Sequence, residues 1–567
     1  MRVELSIRAD VMAAGTPLPA PRARAAHQVG NMPFDLPDHD AYHADIALKG
    51  VIANAGATWA EAELTSVGRL AGSAEVAELA RLANQHAPEL HTHDRFGRRL
   101  DRVEYHPAYH ELMRLAYRSK VHSLPWTESR QGRQVARAAL SYLWNQAENG
   151  IGCPNVMSYS IPPLLRANPE TGLQWEAGIL SPDYDPRHLP ASHKRGLTVA
   201  MSMTEKQGGS DIRRNETTAE PTGEPREYVL SGHKFFCSAP MGDVYLLTAR
   251  TRKGISLFLA PRLLPDGRHN GIFIQRLKDK VGNRSNASSE IEIDGTLGYR
   301  LGEDGHGIRE FIKHMTHFIR LDLSIASVGI MRRALTLACQ HVRNRQAFGA
   351  PIADLPQMRN ALADMALEWE AALLLGMRIA GAFDNEASSE RDRHLLRVGV
   401  PVAKYWSCRR TNALVVEAVE CHGGMGYVEE QPIARLLREA PLNSIWEGTP
   451  AMMGLDFIRA IRSDPGTRDA LFDEIRAGMS GEAGLRRFAD GLADDFDRTG
   501  NDPEPHARRL LGKTALALQA SLMRRHAPSD IADLFVASRL RDGSPELGTL
   551  PAAGAILSRI AERAVPN

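Results

Sequence analysis

The chain has 567 residues and a mass of 62.4 kDa, more than one hydrophobic core usually supports, so we expect several packed domains. Its 43% hydrophobic and 24% charged residues are typical of a soluble globular protein and exclude wholesale disorder, a collagen-like fibre and a membrane bundle. The 69 Lys and Arg residues nearly balance the 68 Asp and Glu residues, so the net charge of +1 demands neither a nucleic-acid nor a membrane partner.

Five cysteines are scattered along the chain without a C-x-x-C pair, at Cys153, Cys237, Cys339, Cys408 and Cys421. This pattern indicates reduced thiols, and we predict neither a disulfide framework nor a metal site. No segment reaches the roughly 18 uninterrupted apolar residues that a spanning helix needs. The N-terminus has no apolar secretory core, so we expect a cytoplasmic protein without a membrane partner.

In chain order, the sequence pattern divides the chain into five parts. Residues 1–45 are rich in proline, which prevents a continuous helix and predicts an irregular arm. Apolar residues three and four apart predict a helical domain over residues 46–198. Short alternating runs separated by glycine turns predict a β domain over residues 199–300. Helical spacing returns over residues 301–463, and a D-P-G break begins a helical extension over residues 464–567.

The strands predicted in the β domain are short runs of β-branched, aromatic and aliphatic residues. They are Tyr228–Leu230, Val244–Thr248, Ile255–Leu259, Ile272–Ile274 and Glu290–Ile293.

Two segments of the predicted β domain carry a chemical signal. Met203–Asp211 reads M-T-E-K-Q-G-G-S-D after an apolar run, so hydroxyls and glycines end a strand and can present N–H groups to a phosphate or a ring edge. An ordinary polar turn is the alternative. Gly232–Ala239 places two aromatic residues beside a hydroxyl, which can flank a flat ring or form a core aromatic pair.

Two further segments follow predicted helices. Arg345–Gly349, with Gln357 downstream, supplies a cation and an aromatic ring at a helix end. His422–Tyr427 contains three glycines, which allow a nucleotide to approach the backbone, although a helix C-cap explains one of them.

The last segment, Asn443–Thr449, places Glu447 between an aromatic residue and a glycine in an apolar setting. Burial raises the pKa of a carboxyl group, and a general base working near neutral pH requires such a pKa. A capping glutamate is the alternative, and this segment alone does not decide between them.

In their order, these five segments resemble the signatures of the acyl-CoA dehydrogenase flavoprotein family: M-T-E-x-x-x-G-S-D, G-x-K-x-x-x-S, R-x-x-F-G with a downstream Gln, G-G-x-G-Y and E-G-T. The resemblance covers roughly residues 50–460 of the chain. Two further stretches, T-H-D-R-F-G-R-R from Thr92 and L-K-D-K-V-G-N-R-S-N-A from Leu277, resemble a branch of this family that serves the bacterial adaptive response to DNA alkylation.

The resemblance implies an α+β fold that is mainly α, with a helical N-terminal domain, a middle β-barrel and a C-terminal four-helix bundle followed by a helical extension. It also implies a homotetramer that binds FAD at contacts between subunits. No metal is implied.

The resemblance assigns roles to the site residues. Thr204 would bond the flavin pyrimidine edge, Ser210 the pyrophosphate, and Glu447 would be the catalytic base. Arg320 and Trp446 would line the substrate pocket. The implied cofactor-binding set is Met201, Met203, Thr204, Gly209, Ser210, Phe236, Cys237, Ser238, Arg345, Phe348, Gln357, Gly423, Gly424, Ile445, Trp446, Gly448, Thr449 and Ala451.

The implied reaction removes the α-proton of an acyl-CoA with Glu447 and passes the β-hydride to flavin N5. Trp446 is larger than the tyrosine common in the family, and Lys206–Gly209 replaces the usual P-G-A-G. A bulkier pocket wall favours a short branched acyl-CoA such as isovaleryl-CoA.

The alternative function is a DNA-binding flavoprotein that protects or repairs alkylated double-stranded DNA with little dehydrogenase turnover. Its basic residues would come from the helical extension, in which residues 465–567 contain 14 Lys and Arg against 15 Asp and Glu and so offer no net attraction for phosphate. A clustered basic face would be needed instead, and the candidates are Arg508, Arg509, Lys513, Arg524 and Arg525.

Overall fold

The computed structural model describes residues 30–500, 502–541, 543–544 and 546–565. Most of the predicted proline-rich arm, residues 1–29, lies outside the described residues.

The first part of the described chain is mainly helical because amphipathic runs alternate with capping residues. Asp45 and Ser73, for example, accept the backbone N–H groups of Leu48 and Val76 and so begin two of the helices. The helices are α1 (Ile46–Asn54), α2 (Glu61–Ala71), α3 (Ala74–Gln85), α4 (Pro107–Arg118), α5 (Leu124–Thr127), α6 (Arg133–Ala147), α7 (Gly152–Ser160), α8 (Pro162–Arg166) and α9 (Pro169–Ile179).

This region also contains a β-hairpin, formed by β1 (Glu89–His93) and β2 (Arg99–Glu104). Its turn is fixed by Asp94, whose carboxylate accepts two backbone N–H groups, and by Gly97 at a φ of +79°. The predicted helical domain over residues 46–198 therefore contains two strands that its helical spacing did not indicate, because this turn chemistry favours a hairpin over a continuous helix.

The middle of the chain forms a closed β-barrel. Strands β3, β5, β9, β7 and β6 pair in a ring, because β3 pairs with β6 as well as with β5, and β4 and β8 pair with members of the ring. The five predicted strand runs all lie within β5–β9 and are confirmed. The strands are β3 (Val199–Thr204), β4 (Thr218–Pro221), β5 (Glu227–Ser238), β6 (Val244–Thr251), β7 (Gly254–Pro261), β8 (Ile272–Leu277) and β9 (Ser288–Leu301).

A buried ion pair fixes one end of the barrel. Lys234 on β5 donates to Glu205, directly after β3, at 2.6 Å, and both side chains are inaccessible to solvent. The Glu205 carboxylate also accepts the backbone N–H groups of Glu216 and Thr217 before β4. Burial lowers the pKa of Lys234 to about 8. Lys234 and Glu205 belong to the two segments of the β domain that carry a chemical signal. They bind each other and hold β3, β4 and β5 together.

The helical part after the barrel is built on three long helices, α11, α12 and α13, each of which packs on the other two. Helix α6 packs on α11 and α12 and joins the first helical part to this bundle. The elements are α10 (Gly307–Phe311), α11 (His317–Asn344), β10 (Gln346–Ala347), β11 (Ala350–Pro351), α12 (Pro356–Asn385), α13 (Glu390–Cys421), α14 (Pro432–Glu439) and α15 (Pro450–Ser463).

The helical extension lies against the bundle, where its third helix, α18, packs on α12, α13 and α15. Arg563 pairs with Glu370 at 2.8 Å, and Arg378 pairs with Glu474 at 2.9 Å, so ion pairs cross between extension and bundle. These contacts do not locate a boundary between bundle and extension, so the boundaries of the five predicted parts of the chain stay predictions. The helices are α16 (Pro465–Arg476), α17 (Ala483–Arg498), α18 (Ala507–His526), α19 (Ser529–Val536) and α20 (Ala555–Ala564).

The predicted α+β, mainly α fold class is confirmed by this arrangement of a barrel between helical layers. In the described ranges, no helix combines the length and the apolar character that crossing a bilayer requires.

The barrel ion pair generates a stability prediction. In Lys234→Met, the Glu205 carboxylate stays buried without its cation, so we expect the free energy of unfolding to fall by about 3–5 kcal/mol, measured by chemical denaturation. The exposed Lys253→Met is the matched control and should change it by less than about 0.5 kcal/mol. The double variant Lys234→Met/Glu205→Gln removes the buried charge but keeps an acceptor oxygen for the two backbone N–H groups, so it should recover much of the loss, and an equal loss in single and double variants would contradict the pairing.

Candidate functional site

Glu447 lies on the loop between α14 and α15, which we call the carboxylate loop (Asn443–Thr449). Its φ is +56°, in the left-handed region that non-glycine residues rarely adopt, at a cost of about 1–3 kcal/mol. Gly448 follows at a φ of +110°, and a Cβ there would come within 2.6 Å of the Met453 side chain. The loop therefore needs outside contacts to keep this conformation.

Two buried cations supply those contacts. Lys404 on α13 donates to the carbonyl oxygens of Trp446 at 2.8 Å and Gly448 at 2.5 Å. Arg320 on α11 donates from Nε to the carbonyl oxygen of Glu447 itself at 3.0 Å. Three consecutive carbonyls are thus held by two helices, and we call this arrangement the carbonyl clamp.

Arg320 is itself held in place by Asp456 on α15, at 2.7 Å, and Arg397 binds the other oxygen of the same carboxylate at 2.7 Å. Asp456 therefore connects α11 and α13 at the point where both contact the carboxylate loop. The neighbouring Arg320 and Arg397 keep the pKa of Asp456 below its usual range, despite the opposing effect of burial.

Burial raises the pKa of Glu447 above its usual value, while the nearby charges of Arg320 and Lys404 act in the opposite direction. Burial also lowers the pKa of Lys404 to about 8. Among the described residues, no donor hydrogen-bonds the Glu447 carboxyl group, so it is available to accept a proton. A desolvated carboxylate with limited charge compensation has the properties of a general base near neutral pH.

One end of the barrel presents hydroxyls and an aromatic ring side by side. The pairing of β3 with β5 places Thr204 opposite Phe236 and Met201 opposite Ser238. The Phe236 side chain is 47% exposed. Cys237, its neighbour on β5, is buried on the opposite face of the strand, so the Cys237 side chain cannot reach a ligand on the face of Phe236. An open ring beside two hydroxyls suits a flat heteroaromatic group such as the predicted flavin.

The barrel end meets the carboxylate loop. Cys153 on α7, Met203 and Ala239 belong to one buried apolar cluster, against which Met201 and Trp446 pack. Helix α7, the barrel end and the carboxylate loop therefore converge, and the predicted flavin residues lie on the same side of the molecule as the carboxylate.

The surrounding loops could receive an anionic group. Gly209 and Ser210 are exposed after β3, and Ile445 is exposed on the carboxylate loop. Thr449 precedes α15 without capping it through its side chain, and Ala451 is exposed in the first turn. The exposed Ser210 hydroxyl and Gly209 backbone fit the predicted contact with the pyrophosphate of FAD, and the uncapped N-terminus of the 14-residue helix α15 favours negative charge near Thr449.

The other predicted cofactor residues lie at the opposite end of the bundle. The rings of His341 and His422 are 4.6 Å apart and bring the ends of α11 and α13 together. Phe348 is 96% exposed at a φ of +55°, and Arg345 donates to the carbonyl oxygen of Asn31 at 2.6 Å. This second group consists of Arg345, Phe348, Gln357, Gly423 and Gly424.

The residues predicted to bind the flavin and those predicted to bind the adenosine half lie near opposite ends of α11. Arg320 contacts the carboxylate loop near the start of α11, and Asn344 ends this helix 24 residues later, which corresponds to about 36 Å. One chain therefore places the residues predicted to bind the flavin near Glu447, and the residues predicted to bind the adenosine half at the other end of the bundle.

The basic residues predicted to contact DNA do not form a free patch. Arg509 and Lys513 bind Asp495 at 2.8 and 2.5 Å, and Arg524 pairs with Asp533. Arg525 binds Glu474 at 2.6 Å. Only Arg508 of the five has no such partner among the described residues. Carboxylates therefore already neutralise most of the charge that phosphates would need.

Lys404 is the site residue that sequence reasoning missed. Its signal is a single lysine inside the apolar run V-G-V-P-V-A-K-Y-W, where a charge is buried only if it has partners.

The carbonyl clamp generates the next prediction. In Lys404→Met, two buried carbonyls lose their donor, so we expect the free energy of unfolding to fall by about 2–4 kcal/mol. We also expect faster amide hydrogen exchange in residues 446–453, measured by mass spectrometry, because the left-handed turn is no longer held. Lys253→Met is the matched exposed control. Unchanged exchange in this segment would contradict the clamp.

Three protein-family models match the chain in order. They are the Adaptive response protein AidB N-terminal domain over residues 31–186, the Acyl-CoA dehydrogenase middle domain over residues 200–296, and the Acyl-CoA dehydrogenase C-terminal domain over residues 305–461.

Known proteins agree with these matches. AidB of Escherichia coli (strain K12) is 44% identical over 447 residues, which are 78% of this chain and 82% of that protein. ACDH-11 of Caenorhabditis elegans, solved in complex with C11-CoA, has a TM-score of 0.82 at 25% identity over 96% of this chain and 98% of its own.

An acyl-CoA dehydrogenase of Bacillus anthracis, solved with FAD, shares the fold, with a TM-score of 0.63 at 18% identity over 81% of this chain and 89% of its own. The family matches, the E. coli relative and the fold agree with one another. The chain therefore belongs to the acyl-CoA dehydrogenase family of FAD-dependent oxidoreductases, in the group that includes AidB.

Proposed function

We propose that this protein dehydrogenates a short branched acyl-CoA, with Glu447 as the base that removes the α-proton. The observation that carries the proposal is the carbonyl clamp, which holds a desolvated carboxylate in a strained turn beside the predicted flavin face. Strain of this kind persists where the surrounding structure over-determines it, and functional sites are where it concentrates.

The proton step follows from the surroundings of Glu447. The α-proton of a thioester is weakly acidic, so the base must be close and poorly solvated. Burial strengthens the carboxylate as a base, while Arg320 and Lys404 keep enough of it ionised to act near neutral pH. When bound, FAD supplies the acceptor for the β-hydride, so that a C=C bond forms between the α- and β-carbons.

The size of the acyl group is proposed from the pocket wall. The Trp446 indole donates to Asn443 at 3.1 Å, and Asn443 donates to Ser327 at 3.1 Å, so the ring is fixed in place. A fixed indole next to the base restricts the room for an acyl chain. The C. elegans relative was solved with C11-CoA. For this chain we propose a shorter acyl group, with isovaleryl-CoA as the first compound to test.

We further propose a homotetramer in which each FAD lies between two copies. The residues predicted to bind the flavin and those predicted to bind the adenosine half lie near opposite ends of α11, which rises about 36 Å from Arg320 to Asn344, and this separation supports a second copy as the source of the adenosine contacts. Phe348 and Tyr427, 96% and 84% exposed, are large hydrophobic side chains that such a copy would cover.

The test of Glu447 uses the FAD-loaded protein. In Glu447→Gln, the amide cannot take the α-proton, so we expect the yellow protein to lose bleaching by isovaleryl-CoA by at least about 10³-fold, measured anaerobically by absorbance. In the parent protein, bleaching should accelerate as pH rises through the raised pKa of Glu447, because only the carboxylate is a base.

Glu562→Gln, an exposed glutamate on α20, is the matched control and should bleach at the parent rate. Unchanged bleaching in Glu447→Gln would dismiss the assigned role.

Protection of alkylated DNA is the second candidate, and the match to the AidB N-terminal domain is what favours it. Binding to duplex DNA should then weaken steeply with salt and weaken about tenfold or more in Arg508→Glu/Arg509→Glu, measured by fluorescence anisotropy. The double variant Lys253→Glu/Arg268→Glu reverses two exposed cations on the barrel and serves as the control for a general charge effect. Salt-independent binding, or none, would dismiss this function.

A further inference from the structure

The first described segment of the chain lies against the residues predicted to bind the adenosine half of FAD. We call it the docked segment (residues 30–34, G-N-M-P-F). It forms neither helix nor strand, and it contacts the short hairpin of β10 and β11 at the end of α11. Arg345 directly precedes this hairpin, and Phe348 lies in its turn.

Asn31 binds both polar backbone groups of one hairpin residue. Its Oδ1 accepts the backbone N–H of Gln346 at 2.6 Å, and its Nδ2 donates to the carbonyl oxygen of Gln346 at 2.9 Å. A carboxamide presents an acceptor and a donor side by side, as this pairing requires. The φ of Asn31 is +53°, a left-handed conformation that asparagine tolerates better than most residues. One side chain thus pairs with β10 as a neighbouring strand would.

The docked segment also binds Arg345. Nη1 of Arg345 donates to the carbonyl oxygen of Asn31 at 2.6 Å, and the Met32 sulfur lies 3.2 Å from the same nitrogen. Nε and Nη2 of Arg345 have no hydrogen-bond partner among the described residues. The guanidinium is therefore fixed on one side and keeps its remaining donors for an anionic group such as a diphosphate.

The chain that follows the docked segment is anchored to the first helical part. Asp38 accepts the first backbone N–H of α3 at 2.7 Å, and the backbone N–H of His39 donates to the carbonyl oxygen of Gly72 at 3.2 Å. Pro33 and Pro37 lie between the two anchors and restrict the backbone to few conformations. Docking therefore costs this stretch less conformational entropy than it would cost a flexible chain.

These contacts leave the predicted ligand face open. Phe348 stays almost fully exposed although Asn31 binds the hairpin that carries it. Met32 is 39% exposed and adds a thioether beside the guanidinium, which suits an aromatic base. A segment that blocked the site would cover the Phe348 ring and occupy more of the guanidinium. The docked segment therefore supports these residues and does not occlude them.

We propose that the docked segment is part of the cofactor site, where Asn31 positions the hairpin whose Arg345 and Phe348 bind the adenosine half of FAD. Asn31 acts through Gln346 and Arg345, so it is a positioning residue. This inference rests on the proposed function, which assigns Arg345 and Phe348 to the adenosine half.

The test compares the binding of FAD with that of FMN, which contains the flavin but lacks the adenosine half. Both are titrated into full-length protein freed of flavin, and binding is followed by flavin fluorescence. In Asn31→Ala the hairpin loses two hydrogen bonds, so we expect the affinity for FAD to fall about fivefold or more. The affinity for FMN and the midpoint of chemical denaturation should stay at the parent values, because the flavin half and the core are untouched.

Two further variants calibrate this effect. Asn385→Ala removes an exposed carboxamide at the end of α12 whose side chain has no hydrogen bond in the described part of the chain, and it should bind FAD as the parent protein does. Arg345→Ala removes the guanidinium itself and should weaken FAD binding at least as much as Asn31→Ala.

The outcomes separate this inference from the proposed function. If Arg345→Ala weakens FAD binding and Asn31→Ala leaves it unchanged or strengthens it, the inference is overturned and the proposed function stands. Equal weakening of FAD and FMN in Asn31→Ala would also overturn the inference, because the effect would not be confined to the adenosine half. If Arg345→Ala binds FAD as the parent protein does, the adenosine assignment of the proposed function fails and the inference fails with it.

Discussion

The carbonyl clamp is the interaction on which the site depends. A left-handed glutamate followed by a glycine would relax in an isolated loop, since the turn itself costs about 1–3 kcal/mol. Lys404 and Arg320 reach the loop from two different helices and bind three carbonyls in succession. The same two cations oppose the effect of burial on the pKa of Glu447. One pair of side chains thus sets both the direction of the carboxyl group and its proton affinity.

The sequence predicts most of the fold because its periodicities are strong. The β runs and the long helices are recovered, and the motif order identifies the family. The hairpin of β1 and β2 was missed because its turn depends on Asp94 and Gly97 within a region of helical spacing. Lys404 was missed because its role lies in contacts with a loop more than 40 residues away, which no local pattern encodes.

Buried charge is used in two different ways in this protein. The pair of Lys234 and Glu205 is closed on itself and joins strands, so a residue within a cofactor-type motif has a structural role. Lys404 and Arg320 instead donate hydrogen bonds to backbone carbonyl oxygens, and neither donates to the carboxyl group of Glu447. The basic residues of the extension follow the first pattern, since most of them are already paired with carboxylates. Counting charges in the sequence cannot separate these cases, because the partner of each charge decides its role.

The length of α11 has a consequence for how the protein keeps its cofactor. In the proposed site, the flavin contacts lie at one end of the helix and the adenosine contacts at the other, so a lone chain would hold only part of the contacts that one FAD needs. Cofactor retention and self-association are then thermodynamically linked, and each strengthens the other by mass action. Loss of the absorbance of bound flavin on dilution would then report the dissociation of subunits.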